Sequence, residues 1–379
     1  MRADSRPEPL PTVTGSKRVI QVAEGDPRWD DFVLTAPGGT VFHHSGWLAA
    51  LERESGRRAL RLACEEPGGD LSGVLPLMEA RGLPLGLGGA AAGPRLSSLP
   101  RTPVAGPVGT SEALGALVAE ALATAAAAGL RLQLKPAAGA LSLLPGLHGS
   151  PWRRSYVKPL PADPELLRFG NSRNHGRIAW AVRKAQREGL RVRDAASEAD
   201  LREWYRLYLD VNRWRGLPAR PYRLFLSAWE RLRPGGFLRL LLAHREQSGR
   251  DRILAGSLLL RLGDTTFYAF NGRVRETLSL RPNDLLQWHA MRDAAAAGYR
   301  WYDFGEAGAG NEGLARFKAK WDTQTRMLVR YHAPALPGGR DEYGPAGNRE
   351  WLRRIAVGAW HRVPLPVTAV AGDQVYRFL

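Results

Sequence analysis

The chain holds one cysteine, Cys64, in 379 residues. It cannot close an intrachain disulfide, and cysteine-rich zinc sites and iron–sulfur clusters are excluded with it. Such a chain suits a reducing compartment, so a cytoplasmic location is expected. Long apolar runs are scarce too. The most apolar stretch, residues 113–130, is about half alanine and contains Glu120, too weak and too short to span a bilayer. The first 26 residues carry four acids and no apolar run, so they do not read as a secretory signal. The eight histidines form no HExxH or His-x-His arrangement, and no metal is expected. His43-His44 falls where a helix begins, which suits capping and packing. No GxSxG elbow and no Walker A loop occur, which removes serine-hydrolase and P-loop chemistry.

Lysine is the scarcest charge: six of the 54 basic residues, the rest being arginine. Against 37 acids the net charge is +17, with a pI near 10.6. That balance favours a polyanionic partner such as nucleic acid, a phosphorylated precursor or an anionic membrane surface; a merely solvated basic surface is the alternative. A composition of 44% apolar and 24% charged residues is ordinary for a globular chain, and the length allows two domains.

Residues 1–16 read as a flexible leader. From Arg18 to Lys158, strand-like and helix-like segments alternate. Residues 40–54 have a helical rhythm, 58–64 and 73–78 read as paired strands, and 82–107 as strand and loop. An alanine-rich helix over 111–129 precedes a strand at 130–134. The proline-punctuated segment 158–164 is the natural boundary between domains 17–160 and 161–335. Beyond it, helix 173–188 leads to strand 190–192. Ser197 and Asp200 form a capping box for a helix through about Leu209. A basic turn, 212–222, and a helix to about Leu232 follow. A meander over 237–246, 253–262 and 265–271 turns at Gly263-Asp264. Helix 283–298, strand 300–304, a glycine-rich turn, helix 313–321 and strand 326–332 complete the series. The tail, 336–379, holds an amphipathic basic helix over 351–361 and then a proline-broken segment.

Two glycine patterns invite a dinucleotide reading. Gly86-Leu-Gly88-Gly-Ala-Ala91 has no helix after it. Gly308-Ala-Gly310-Asn-Glu-Gly313 follows a strand and opens a helix, but the acid expected about 20 residues on is missing. The second remains a candidate functional turn, whose backbone amides suit an anion, or a plain connection.

The second half carries an ordered series of polar residues at successive strand and helix ends. Tyr268-Ala-Phe-Asn271 falls on a strand, Arg281-Pro-Asn283 at a helix start, and Tyr302-Asp303-Phe304-Gly305-Glu306 on the next strand. Gly313-Leu-Ala-Arg-Phe317-Lys318-Ala-Lys320-Trp321 closes it. That last run is similar to the G-L-x-x-F-K-x-x-F/W signature of the FemAB-like branch of the Gcn5-related N-acetyltransferase (GNAT) superfamily. The basic helix 173–190, ending R-K-A-x-x-x-G-L, and the segment Asn212–Tyr222 resemble the same branch. Residues 42–47, 73–77 and 96–100 also fit, so the resemblance covers roughly residues 20–335.

The resemblance implies an α/β fold of two tandem GNAT-like domains, each a mixed, mostly antiparallel sheet flanked by helices. It implies an enzyme, an acyltransferase moving an (amino)acyl group from aminoacyl-tRNA to an amine of a cell-envelope or secondary-metabolite acceptor. Phe317 and Lys318 would hold the donor, and Arg213, Arg220 and Tyr222 would lie near the acceptor, with Tyr268 and Asn271 in the substrate site. Lys318 is expected to stabilise the oxyanion or neutralise the terminal phosphate. Asp303 is expected as base or as orienter of the amine, with a strand-end structural role as the alternative. Arg173, Arg177 and Lys320 are the expected tRNA or phosphate contacts. Beyond these substrates no cofactor is expected, and peripheral membrane contact is expected of the basic tail.

Two departures from the family pattern bear on the substrates. Residues 272–283 lack the R/Q-x-x-G-x-G/A loop with which acetyltransferases cradle the pyrophosphate of CoA. Leu48-Ala-Ala-Leu-Glu52 lacks the lysine carried there by relatives that act on nucleotide-linked wall precursors. Acyl-CoA-dependent N-acylation and a non-catalytic module in surface-polysaccharide assembly are the other readings.

Overall fold

A computed structural model describes residues 17–82, 93–136, 141, 144–247, 249–308, 310–336 and 357–378. The expected leader, the glycine run at 86–91 and most of the expected helix 351–361 lie outside them; residues 357–360 are helical.

The first half runs β1 (Arg18–Gln21), α1 (Pro27–Thr35), α2 (Ser45–Ser55), β2 (Leu60–Glu65), β3 (Leu71–Ala80), β4 (Arg95–Ser97), β5 (Val108–Gly109), α3 (Ser111–Ala127) and β6 (Arg131–Leu134). Strand β7 (His148–Pro159) leads into the second half. There α4 (His175–Arg187), β8 (Arg191–Asp194), α5 (Glu198–Trp214) and α6 (Tyr222–Leu232) precede the meander β9 (Leu238–Gln247), β10 (Arg250–Leu262) and β11 (Thr265–Arg273). Helix α7 (Pro282–Ala296), β12 (Trp301–Ala307), α8 (Glu312–Ala319), β13 (Gln324–Ala333) and α9 (Leu365–Tyr376) follow.

These strands join into one sheet, ordered β1-β2-β3-β4-β6-β13-β7-β12-β11-β10-β9-β8, with β5 beside β3. Only β4–β6 and β11–β12 run parallel, so the fold is a mixed, mostly antiparallel sheet flanked by helices. Lys158 sits inside β7, and the chain passes from one half to the other within the shared sheet.

Alternation along the strands fills a core on each face. Leu238, Leu240 and Leu242 of β9 meet α5 and α6 in a core that continues to Trp29, Trp47 and Leu48 of the first half. Leu241 and Ala243 meet α4 and α7 on the other face, with Tyr302, Phe304 and Trp321. The alanine-rich α3 covers β2, β3 and β6 in a third cluster.

Local signals explain the elements. The Ser197 hydroxyl accepts from the Asp200 amide at 3.4 Å, and the Asp200 carboxylate accepts from Ala196 at 2.7 Å, so the expected cap forms. Helix α5 overruns the expected end at Leu209 because Val211 and Asn212 are buried; Gly216, at φ 67°, turns the chain just after it. It crosses β10 and β11 at two glycines. A Cβ on Gly272 would lie 2.8 Å from the Tyr208 amide nitrogen, and one on Gly256 would lie 2.5 Å from the Trp204 ring. The segment read as proline-broken is helix α9. Pro364 is its N-cap and Pro366 lies in its first turn, where no amide donor is needed.

Candidate active site

Strands β11 and β12 pair only from Thr265 and Trp301 to Phe267 and Asp303. Beyond that point they part, and the edge of β11 facing β12 has no ladder partner among the described residues. Two irregularities force the parting. Leu258 pairs with Phe270 and Leu259 with Tyr268, which leaves Ala269 as an extra residue. On β12 the register with β7 breaks between Asp303 and Glu306, at Gly305, whose φ of 72° favours glycine. Asp303 holds this bulge: its Oδ1 accepts from the Gly305 amide at 2.6 Å and from the Ser155 hydroxyl at 3.0 Å.

The splay opens a cleft of about 710 Å³, lined by Tyr268, Ala269, Phe270, Asn271 and Arg273 on one side and Phe304, Gly305 and Glu306 on the other. Helix α8 closes its end with Leu314, Phe317 and Lys318, and Arg215 and Asn283 also line it. Asn311 caps α8: its Oδ1 accepts from the Leu314 amide at 3.2 Å.

Lys318 is 4% exposed and donates to the Glu306 carbonyl at 2.8 Å. Burial lowers its pKa to about 8; Glu306 and Asp303 oppose that fall, and Arg215 and Arg153 add to it. Asp303 lies beneath the lining, and burial raises its pKa despite the bonds from Gly305 and Ser155. Burial likewise pushes the Tyr268 phenol up to about 12. Asn271 Nδ2 donates to the Gly256 carbonyl at 3.2 Å and to Asn283 Oδ1 at 3.3 Å.

A second groove, of about 670 Å³, adjoins the cleft and shares Gly313 and Phe317 with it. Arg173, Arg177, Arg281, Arg316 and Lys320 line it beside Trp180, which is 46% exposed. Lys320 is ion-paired to Asp284 and lies 4.6 Å from the centre of the Phe317 ring. Lys318 and Lys320, two apart on the chain, thus serve different cavities.

The structure therefore gathers Lys318, Phe317, Tyr268 and Asn271 in one cleft, with Asp303 behind it, and Arg173, Arg177 and Lys320 in the groove alongside. It does not bring Arg213, Arg220 or Tyr222 there. Arg213 pairs with Asp210 and donates to the Val363 carbonyl. Arg220 is buried against Glu54 of α2, at 2.7 Å from Nε to Oε1. The Tyr222 hydroxyl donates to Glu198 at 3.1 Å. Sequence reasoning gave no site role to Arg215, Arg273, Arg281, Arg316 or Trp180, although all but Arg273 fall in segments it singled out. Arg273 was within reach, because it lies two residues beyond Asn271 on one strand and so on the same side. Among the described residues no three His, Cys, Asp or Glu side chains gather to hold a metal.

Residues 172–319 match the family model described as the acetyltransferase (GNAT) domain. This segment is a GNAT domain. The splayed pair β11–β12 and helices α4 to α8 all fall within its bounds. Over most of its length the chain also has the fold of FemX, to which it is 18% identical; the match covers 83% of this chain and 96% of that one, with a TM-score of 0.63. L-PGS from Bacillus licheniformis is 14% identical, with 93% and 98% covered and a TM-score of 0.55. The C-terminal domain of a protein described as a lysylphosphatidylglycerol synthetase, from Agrobacterium fabrum, is 15% identical, with 88% and 93% covered and a TM-score of 0.53. No curated protein matches by sequence. The chain thus combines a segment that matches the GNAT domain model with an overall fold like that of FemX. Among the described residues no helix is long and apolar enough to cross a membrane.

Proposed function

We propose that the protein transfers an aminoacyl group from aminoacyl-tRNA to an amine on a cell-envelope or secondary-metabolite acceptor, forming an amide. The observation that carries this reading is the pairing of two cavities across Phe317: a cleft holding a buried lysine, and a basic groove suited to a phosphate backbone.

The reaction is aminolysis of an ester. The neutral amine attacks the carbonyl carbon, the C–N bond forms, and the C–O bond to the tRNA 3′-oxygen breaks. That oxygen must take up a proton as it leaves. Lys318, with its pKa lowered to about 8, is a better acid for this step than an ordinary lysine, and its charge also stabilises the oxyanion. Asp303, with Oδ1 occupied by Gly305 and Ser155, acts as the orienting group that fixes the bulge beside Lys318. The amine loses its proton to solvent or to the substrate itself. Tyr268 and Asn271 border the acceptor, and Arg173, Arg177 and Lys320 take the tRNA phosphates. The neighbour named for lysylphosphatidylglycerol, an aminoacylated phospholipid, supports an envelope acceptor.

Acyl-CoA is the second reading, favoured by the match to an acetyltransferase domain model. Against it, the first turn of α7 holds Asp284 in an ion pair with Lys320, which sets a carboxylate where a pyrophosphate would dock. Mass spectrometry of reactions with charged tRNA and with acyl-CoAs tests the choice. An aminoacylated product formed only with charged tRNA is expected; acyl transfer from CoA alone overturns the first reading in favour of the second.

A further inference from the structure

Arg215, which caps α5, and Arg273, which ends β11, both line the cleft. Neither has a carboxylate partner or a side-chain hydrogen bond among the described residues, and Arg273 Nε is enclosed with nothing to accept its proton. Several other arginines have carboxylate partners: Arg61 meets Glu52, Arg220 meets Glu54, and Arg239 meets Asp194 and Asp293, while Arg261, away from the cleft, lies over the Tyr299 ring. Among the described residues the only acid lining the cleft, Glu306, lies 3.7 Å from Arg153. Arg275, stacked on Trp214 at 3.5 Å, adds a further positive charge near Arg273. Burial, then Arg215 and Arg275, hold the Arg273 guanidinium below its usual range, and Arg215 also lowers Lys318. The half-buried Arg273, the buried Lys318 and the exposed Arg215 thus face one cavity whose described lining holds a single acid, an arrangement that favours an anion.

We infer that Arg215 and Arg273 together bind a phosphate ester of the acceptor in the cleft. Two guanidinium forks reach the several oxygens of a tetrahedral phosphate, whereas the two coplanar oxygens of a carboxylate are satisfied by one fork. The inference deepens the acyltransferase reading, and rests on it only in assigning the phosphate to the acceptor; the phosphates of the donor belong to the groove beyond Phe317. A soluble phosphate ester and a phospholipid headgroup present the same chemistry.

The test is calorimetric titration with inorganic pyrophosphate, which does not depend on turnover. Arg215→Gln and Arg273→Gln should each weaken binding about tenfold, the loss of one charge-assisted contact. Arg273→Lys, which keeps the charge but not the fork, should fall between, and Arg58→Gln, an exposed arginine that lines neither cavity, should leave this binding in place. Because each Gln variant removes repulsion, it should melt no lower than wild type. Affinity within twofold of wild type in both Gln variants, or a fall in melting temperature showing that the arginines are structural, overturns the site. Cosedimentation with phosphatidylglycerol-containing vesicles separates the sources. Vesicle binding lost in the Gln variants assigns the headgroup; no vesicle binding, with pyrophosphate affinity still lost, assigns a soluble ester. Failure of aminoacyl transfer would leave these binding results standing.

Discussion

In the proposed mechanism Lys318 acts as a charged group in a place that penalises charge. Its pKa is about 8 in the fold and 10.5 in the unfolded chain. Below about 8 both states are protonated and the burial penalty is felt in full. Between about 8 and 10.5 the folded state has released a proton that the unfolded state keeps, so stability rises with pH. If the protonated amine is the acid, turnover should fall as pH rises through about 8. Lys318→Arg, which stays charged, should lose that alkaline limb in a pH–rate profile. Lys318→Ala should lower kcat about a hundredfold or more while leaving the circular-dichroism spectrum unchanged; a fully active variant would return the residue to packing. The lysine was legible in the sequence because the run Gly313–Trp321 marks it. Its acidity was not, since that comes from burial in the folded chain, with Arg215 and Arg153 adding to it and Glu306 and Asp303 opposing it, groups brought from three other elements.

At the scale of elements, the two glycines under α5 decide how closely the helix lies on the sheet. Gly272→Ala would press a methyl against the backbone of Tyr208, which cannot swing aside as a side-chain tip can. A loss of about 1–3 kcal/mol is expected, read by urea denaturation. Because Gly272 follows Asn271 directly, substrate affinity should fall as well. Periodicity revealed the meander, α4, α7 and the first turn of α5, since burial on one face and capping are local signals. It did not reveal α1, β7 or α9. Strand β7 has Gly149 and Pro151 among its first four residues, and α9 has Pro364 as its cap and Pro366 in its first turn, residues that break a helix anywhere but at its start. The parting of β11 and β12 depends on a bulge and on one positive-φ glycine, neither of which alters the hydrophobic pattern.

For the whole molecule, the buried Glu54–Arg220 pair ties α2 of the first half to the start of α6 in the second. Glu54→Gln would strand a buried guanidinium, and a loss of about 3–5 kcal/mol is expected in equilibrium unfolding; the double change to Glu54→Leu/Arg220→Met should recover part of it. The net charge of +17 acts at this scale too. Residues 168–223 hold fourteen basic and six acidic residues, and Arg173 and Arg177 bring two of the positive charges to the groove. Filter binding of tRNA should weaken steeply with salt through counterion release, and Arg173→Glu/Arg177→Glu should flatten that slope. Affinity that does not respond to salt would remove the groove from the tRNA path. Composition only points toward a polyanion; which arginines could meet one depends on ion pairs that only the folded chain shows.

The position of β13 sets an order of events during synthesis. It follows every other strand of the sheet in sequence, yet lies near the middle, between β6 and β7. Until the ribosome has released it, β6 presents a bare edge, and the two halves cannot close over one another. Contacts so distant along the chain slow folding and lengthen the exposure of that edge. Residues 17–136 made alone should therefore associate through β6, seen as dimers or larger species on size exclusion, whereas the full chain seals the edge with its own last strand.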